Sequence, residues 1–485
     1  MVDNPQDYSF LDPLSPVSGE PLEGFGGRKA VLGLSMAASA TVALFFTVHW
    51  TIALVGGAAV LVLSAMEIEA FLLFVIFLTP FVWVLEGDML VRSVTVGLRS
   101  LVVIGFFAGR FLRGNAQVGQ LFRPAVSRAS LVFLCAAVAP TILGQGELTY
   151  ESGRAIYQLV SFVAFYFVVL AWVDSRQRIR RVLLAVLFST LVTAGFAVYQ
   201  QLIGGYSALW VYLSPQDEYT PPWSGRSTSF MGHPNSLAGY LNLVLPLALS
   251  CCVLGKGKWR KLGGWTFGLG SVALFSTQSL GGLLAFLAVI VLAIFCYVRS
   301  SKKRLVLLAG ICALAGMFYL FQPILNPAHT EEVLGSDATT RLLLWTTAWD
   351  EFVHSPMFGV GWGNFAAPYG FNIPTMPGVG EAHNIYLQLM AETGLVGLFA
   401  FLGLVVQAWR QARRQWRSSN DFLESALAFG VLGALLSLLV HGFLDVPLFT
   451  QSGTLLWMFL ALLAASHRLH HESVGGGVRL PGAQA

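Results

Sequence analysis

Apolar residues in this chain run in blocks of about 20 positions, broken by short polar or basic connections, and the period-two alternation of barrel strands is absent. Each block is long enough to cross a hydrocarbon core of about 30 Å as a helix. Fourteen such windows are predicted: 30–48, 50–66, 68–86, 93–109, 129–144, 155–173, 182–203, 234–254, 263–278, 280–298, 305–322, 384–408, 422–444 and 453–467. The fold class that follows is an all-α integral membrane protein with about 12–14 transmembrane helices and one long outer loop containing an amphipathic helix. In order, the reading gives a disordered cytoplasmic tail at 1–29, a transmembrane bundle of about eleven spans at 30–322 and the long loop at 323–383. C-terminal spans at 384–467 and a cytoplasmic tail at 468–485 complete it.

Composition agrees: 55% of the 485 residues are hydrophobic and 11% charged, against about 25% charge in soluble domains. That excludes a soluble globular enzyme, a fibre and a disulfide scaffold. The five cysteines all lie in apolar runs without paired spacing, so neither a disulfide frame nor a zinc site is expected. A net charge of +4 is too small to suggest nucleic acid. Its distribution says more. With both termini cytoplasmic, 24 of the 29 Lys and Arg residues fall inside, as the positive-inside rule demands. The five outer ones are Arg92, Arg99, Arg154, Arg226 and Arg341, on a face that holds Asp217, Glu218, Glu331, Glu332 and Glu381. The first three sit at span ends, where snorkelling accounts for them; Arg226 and Arg341 lie in the two long outer segments.

Long connections are where function concentrates. In the second of these segments Ser336 and Asp337 are placed to cap a helix, and Arg341, Trp345, Ala348 and Phe352 follow helical spacing with Trp349 alongside. Arg341 falls in its first turn. After His354-Ser355-Pro356 comes Gly359-Val360-Gly361-Trp362-Gly363-Asn364-Phe365, whose glycine spacing is wrong for a nucleotide fingerprint and reads as a turn. His383 then stands at a helix N-terminus, where exposed N–H groups favour an anion, followed by Asn384 and, inside the span, by Glu392, a functional candidate by its depth. The first long segment delivers Arg226, His233 and Asn235 to the mouth of the next span through Pro234. His441, Asp445 and Pro447 form a third polar cluster at the same level. No metal site is expected.

The stretches Arg226 to Ala238, Ser276 to Gly282 and Arg341 to Gly397 resemble the O-antigen ligase and O-antigen polymerase superfamily of multi-span envelope glycosyltransferases. The last block carries most of the likeness, with its Arg-plus-Trp helix, Ser355-Pro356-Met357-Phe358-Gly359-Val360-Gly361 and Ala382-His383-Asn384-Ile385-Tyr386-Leu387 ahead of Glu392 and Gly394. The resemblance implies a glycan donor on undecaprenyl diphosphate, a glycolipid or glycan acceptor such as a lipid A core, membrane lipids as surroundings and no nucleic acid partner. It implies a metal-independent, inverting transfer without cofactor, at the outer side of a bacterial inner membrane. Arg226 and Arg341 map onto the diphosphate-binding arginines and His383 onto the catalytic histidine, with His233, Asn235, Asn384, Glu392, His441 and Asp445 in support. The family often has Ser-Arg-Gly in the tight outer turn, whereas Ser279-Leu280-Gly281 stands here and loses that basic contact. Ligase and polymerase remain open, with a small-anion transporter the third reading; transport calls for buried charges along a path, and the spans offer little beyond Glu392.

Overall fold

The structure, a computed structural model, describes residues 68–81, 99–100, 102–107, 118–143, 148–202, 225–310, 338–365, 381–447 and 452–475, all within the compact unit 61–485. The tail at 1–29, the windows 30–48 and 50–66, the acids Asp217, Glu218, Glu331 and Glu332, the caps Ser336 and Asp337, Arg92 and most of 93–109 and 305–322 lie outside the described residues.

Among the described residues no strand occurs. The helices are α1 (Ile68–Leu78), α2 (Ala125–Ile142), α3 (Tyr150–Trp172), α4 (Arg176–Leu202), α5 (Pro234–Leu254), α6 (Gly257–Ser276), α7 (Leu280–Tyr297), α8 (Ala338–His354), α9 (Ile385–Ser418), α10 (Phe422–His441) and α11 (Ser452–Gly475). Eight of them, α2 to α5, α7 and α9 to α11, are long and apolar enough to span a membrane, so the chain is an all-α, multi-pass membrane protein. Local chemistry sets several boundaries. Pro234 opens α5, Thr149 and Ser279 cap α3 and α7 through their hydroxyls, and Asp421 accepts from the Leu423 and Glu424 amides at the start of α10.

Helices adjacent in sequence turn back on one another through three-residue links such as 173–175, 277–279 and 419–421, which brings alternate ends together. One end gathers Arg176 with Asp421 and Glu424, His470 with Glu424, Arg468 with the Val173 carbonyl, and Trp259 against Phe422. The basic residues 256–261, 299–304 and 410–417 follow from the helix ends on this side. Here α9 runs past the window that hydropathy assigned to it, because a helix continues through Arg410 to Arg417 once it has left the apolar region. The polar residues discussed below occupy the opposite end.

Helix α9 is interrupted at Gly394, whose backbone (φ 61, ψ −162) is one only glycine adopts readily. The break removes the bonds that Leu395 and Val396 amides would make to the carbonyls of Ala391 and Glu392. Segment 356–361 replaces all four groups: Leu395 donates to the Pro356 carbonyl at 2.9 Å and Val396 to Met357 at 3.2 Å, while Val360 and Gly361 donate to Ala391 and Glu392 at 2.9 Å each. Irregular backbone at membrane depth is stable only when so satisfied. Gly359 and Gly394 make the approach possible, since a Cβ on either would stand within 2.4 Å of the other strand's backbone. The glycine block is therefore a close-packed strap, not a loose turn.

The strap ends in α8, which packs on α9 through Leu344, Ala348, Phe365, Ala382 and Ala391, with Leu387 alongside. The stripe read from the sequence is rotated by about one position: Leu344, Thr347, Ala348 and Glu351 are buried, whereas Trp349 is 50% exposed and Phe352 half-buried. Leu342, Leu343 and Val353 are also exposed, so α8 is apolar on two faces, and only one of them meets protein among the described residues.

Candidate functional site

The site is built on the junction between the start of α9 and the end of α10. Asn384 caps α9, its Oδ1 accepting from the Tyr386 and Leu387 amides, while its Nδ2 donates to the Phe443 carbonyl. The Ile385 amide donates to the Gly442 carbonyl at 2.8 Å and the Tyr386 hydroxyl to that of Leu439 at 2.7 Å. These bonds fix residues 382–384 against 442–445. His383 is held at φ 47, a left-handed conformation unusual for a residue with a Cβ, and such strain is retained where surrounding contacts over-determine it.

This fastening sets His383 Nδ1 3.6 Å from Asp445 Oδ1, with His441 Nε2 3.8 Å from Asp445 Oδ2. His441 and Asp445 are four positions apart, a pairing passed over in the sequence. His441 is buried between Gly281 and Gly239, where a Cβ on either would meet its ring. Burial alone would raise the Asp445 carboxyl, but His383 beside it and the charges of His441 and His233 carry it well below the usual carboxylate range. For His383 burial opposes the charged form, yet Asp445 and then Glu381 outweigh it, so its pKa is raised despite Arg341. Glu381 is pushed up to about 7 by burial first and by Asp445 second.

Arg226 is buried, its Nε donating to the Thr277 carbonyl at 2.9 Å and its Nη2 to Asn235 Oδ1 at 3.2 Å. The segment that carries it is pinned to α4 and α6 by Ser227 and Ser229. Gln278, at φ 51 in the turn between α6 and α7, donates to the Gly225 carbonyl. His233 accepts from the Asn235 amide on Nδ1, which leaves the proton of the neutral ring on Nε2. Burial pushes its pKa down to about 4, and the ring feels Asp445, Arg226, His383 and Arg341. That one imidazole thus lies in the field of residues from four separate parts of the chain. Arg341 arrives from the first turn of α8.

Of the residues expected from the sequence, Arg226, His233, Asn235, Arg341, His383, Asn384, His441 and Asp445 come together at this end of the bundle. Glu392 stands apart in role. It sits beside the break of α9, where its carboxylate accepts from Gln388 Nε2 of the same helix at 2.8 Å and its backbone carbonyl accepts from the Gly361 amide of the strap. Leu280, in place of the family's arginine, is 53% exposed at the start of α7. Two acids were missed. Glu381 had counted only as an outer charge, although it stands two residues before His383. Glu351 is buried with both oxygens lacking a partner among the described residues, and burial, with Glu392 second, pushes it to about 8; its spacing of three from Ala348 was the available signal. One donor atom each from Glu381, His383 and Asp445 lies within 4.8 Å of the others, a set that could also hold a divalent cation.

A multi-pass α-helical membrane protein with cations, histidines and carboxylates gathered at one end is the class the geometry defines, and comparison narrows it. Residues 265–402 match the family model described as O-antigen ligase, which bears out the resemblance over a block containing Arg341, His383 and Glu392. The chain is also 28% identical over 259 residues, 48% of its length, to the exopolysaccharide production protein ExoQ of Rhizobium meliloti (strain 1021). It covers 58% of that relative. Its similarity is therefore to membrane proteins of O-antigen ligase and polymerase type.

Proposed function

We propose that this protein transfers a glycan from undecaprenyl diphosphate to an acceptor hydroxyl, in the manner of an O-antigen ligase, at the outer side of a bacterial inner membrane. The observation that carries the reading is the convergence of Arg226, Arg341 and His383 around His233, on the end of the bundle opposite the basic helix ends. The lipid carrier partitions into the bilayer, and its diphosphate meets two guanidiniums able to bind it at two points each. The diphosphate is already a good leaving group. What remains is to orient the acceptor oxygen behind the anomeric carbon and to take up one proton.

His383 is the base in this reading. Asp445 faces its Nδ1, which leaves Nε2 for the acceptor hydroxyl. The acceptor oxygen bonds to the anomeric carbon, the carbon–oxygen bond to diphosphate breaks with its electron pair leaving on the phosphate, and the hydroxyl proton passes to Nε2. The reaction as written needs no nucleotide. A polymerase joining repeat units is the second reading, favoured by the similarity to a protein named for exopolysaccharide production. Reconstitution with undecaprenyl-diphosphate glycan tests both. A single glycan added to lipid A core supports a ligase, a ladder of lengths on the carrier supports a polymerase, and no transfer to either refutes the proposal.

A further inference from the structure

Glu381 belongs to this same site, yet the transfer as derived gives it no task. Its carboxylate makes no hydrogen bond among the described residues and is half-buried. It has an oxygen within 4.8 Å of donor atoms of both His383 and Asp445. A carboxylate so placed is costly, because desolvation and a like-charged neighbour act on it together. Asp445 is engaged with two imidazoles, at 3.6 and 3.8 Å. Glu381 has the field of His383 in its favour and that of Asp445 against it. Behind the cluster His441 is buried with neither ring nitrogen hydrogen-bonded among the described residues, and the Val446 amide donates to Asp445 Oδ1 at 2.8 Å, so the hydrogen-bond donor found there serves Asp445 and not Glu381. What Glu381 lacks among the described residues is a hydrogen-bond donor, and the transfer as proposed brings one beside His383, the acceptor hydroxyl.

We propose that Glu381 is the acceptor-binding residue, its carboxylate accepting hydrogen bonds from the attacking hydroxyl of a sugar and from the neighbouring hydroxyl, so that the attacking oxygen is aimed while His383 removes its proton. The inference rests on the transferase reading. It assigns the acceptor a polyhydroxylated sugar end and separates the two substrates in space: the diphosphate lies toward Arg226 and Arg341, the acceptor hydroxyls toward Glu381. Glu381 remains ionised while His383 takes the proton, since the bond it makes is to the hydroxyl and not to the ring. The high carboxyl pKa, about 7, falls when hydroxyl donors replace lost water.

The test uses the full chain in nanodiscs with lipid-linked donor and graded acceptor, comparing wild type with Glu381→Ala and Glu381→Gln. Wild-type transfer establishes the parent reading independently; without it the transferase proposal fails, whatever Glu381 does. With it, Glu381→Ala is expected to lower kcat/KM for the acceptor at least tenfold, mainly through KM. Donor affinity should stay within about twofold. Glu381→Gln, which keeps one acceptor oxygen, should recover part of the loss. Equal losses in donor affinity and acceptor transfer, or unchanged acceptor kinetics in Glu381→Ala, would overturn the assignment. So would wild-type activity abolished by EDTA and restored by Mg²⁺ or Mn²⁺, which would give Glu381, His383 and Asp445 to a metal instead.

Discussion

His383 and Asp445 lie 62 residues apart in sequence and 3.6 Å apart in space, joined because the first turn of α9 hydrogen-bonds to the chain leaving α10. In the proposed transfer the aspartate fixes which ring nitrogen faces the acceptor and stabilises the imidazolium formed by proton uptake. It also raises the histidine's pKa. The rate should therefore climb as pH passes through that raised value, because only the neutral ring accepts a proton.

Replacing Asp445 by Asn keeps the shape and removes the charge. Transfer should fall by roughly 10²-fold, and the rising limb of its pH profile should move to lower pH, since the histidine loses the partner that favoured its charged form. A pH–rate profile of the variant checks this. A limb left in place would mean that the histidine is not what titrates.

The arginines are expected to be sensitive to Arg→Lys, although the charge is kept. Lysine cannot make a planar two-point contact with phosphate, and at position 226 it also loses the geometry that reaches the Thr277 carbonyl and Asn235 together. Donor affinity measured with the undecaprenyl-diphosphate glycan should drop at least tenfold for Arg226→Lys and for Arg341→Lys.

Glu351 predicts a pH-dependent stability. Its folded-state pKa is raised from 4.5 to about 8. The group therefore supports the fold fully below pH 4.5, and that support is lost as pH rises through the folded value. Glu351→Gln, which is neutral throughout, should raise the melting temperature by about 3 °C or more at pH 8 and leave it unchanged at pH 4. A stabilisation equal at both would reject burial of the charge as the cause.

The strap gives a mechanical prediction. Gly394→Ala sets a Cβ 2.3 Å from the Met357 carbonyl carbon in a backbone that alanine avoids. Stability should fall by about 3 kcal/mol or more. Gly403→Ala, later in the same helix and with open space around it, is the control and should be near neutral. Thermal unfolding of both in one lipid mixture reads the difference.

The described spans were legible because lipid imposes long apolar windows. Arg226 and Arg341 drew attention as the outer arginines of the two long segments and His383 as a residue at a helix N-terminus, and the resemblance singled out the same three. The strap was not. Gly394 looks like any glycine in an apolar run, and its break exists only because segment 356–361 returns to supply two donors and two acceptors. The face of α8 was misjudged by about one position for a related reason: with Leu342, Leu343 and Val353 apolar on the exposed side, periodicity cannot distinguish protein from lipid. Glu381 was read only as an outer charge and Glu351 was passed over, because a carboxylate's burial depends on what folds over it.

The most direct measurement of the central claim compares transfer and carrier binding in His383→Gln. Glutamine restores a hydrogen bond but no basicity. If His383 is the base, turnover should fall by roughly 10²-fold or more while binding of the undecaprenyl-diphosphate glycan stays close to wild type. Near-normal transfer by His383→Gln would contradict the account, leaving His383 as a residue that only orients Asn384 at the start of its helix.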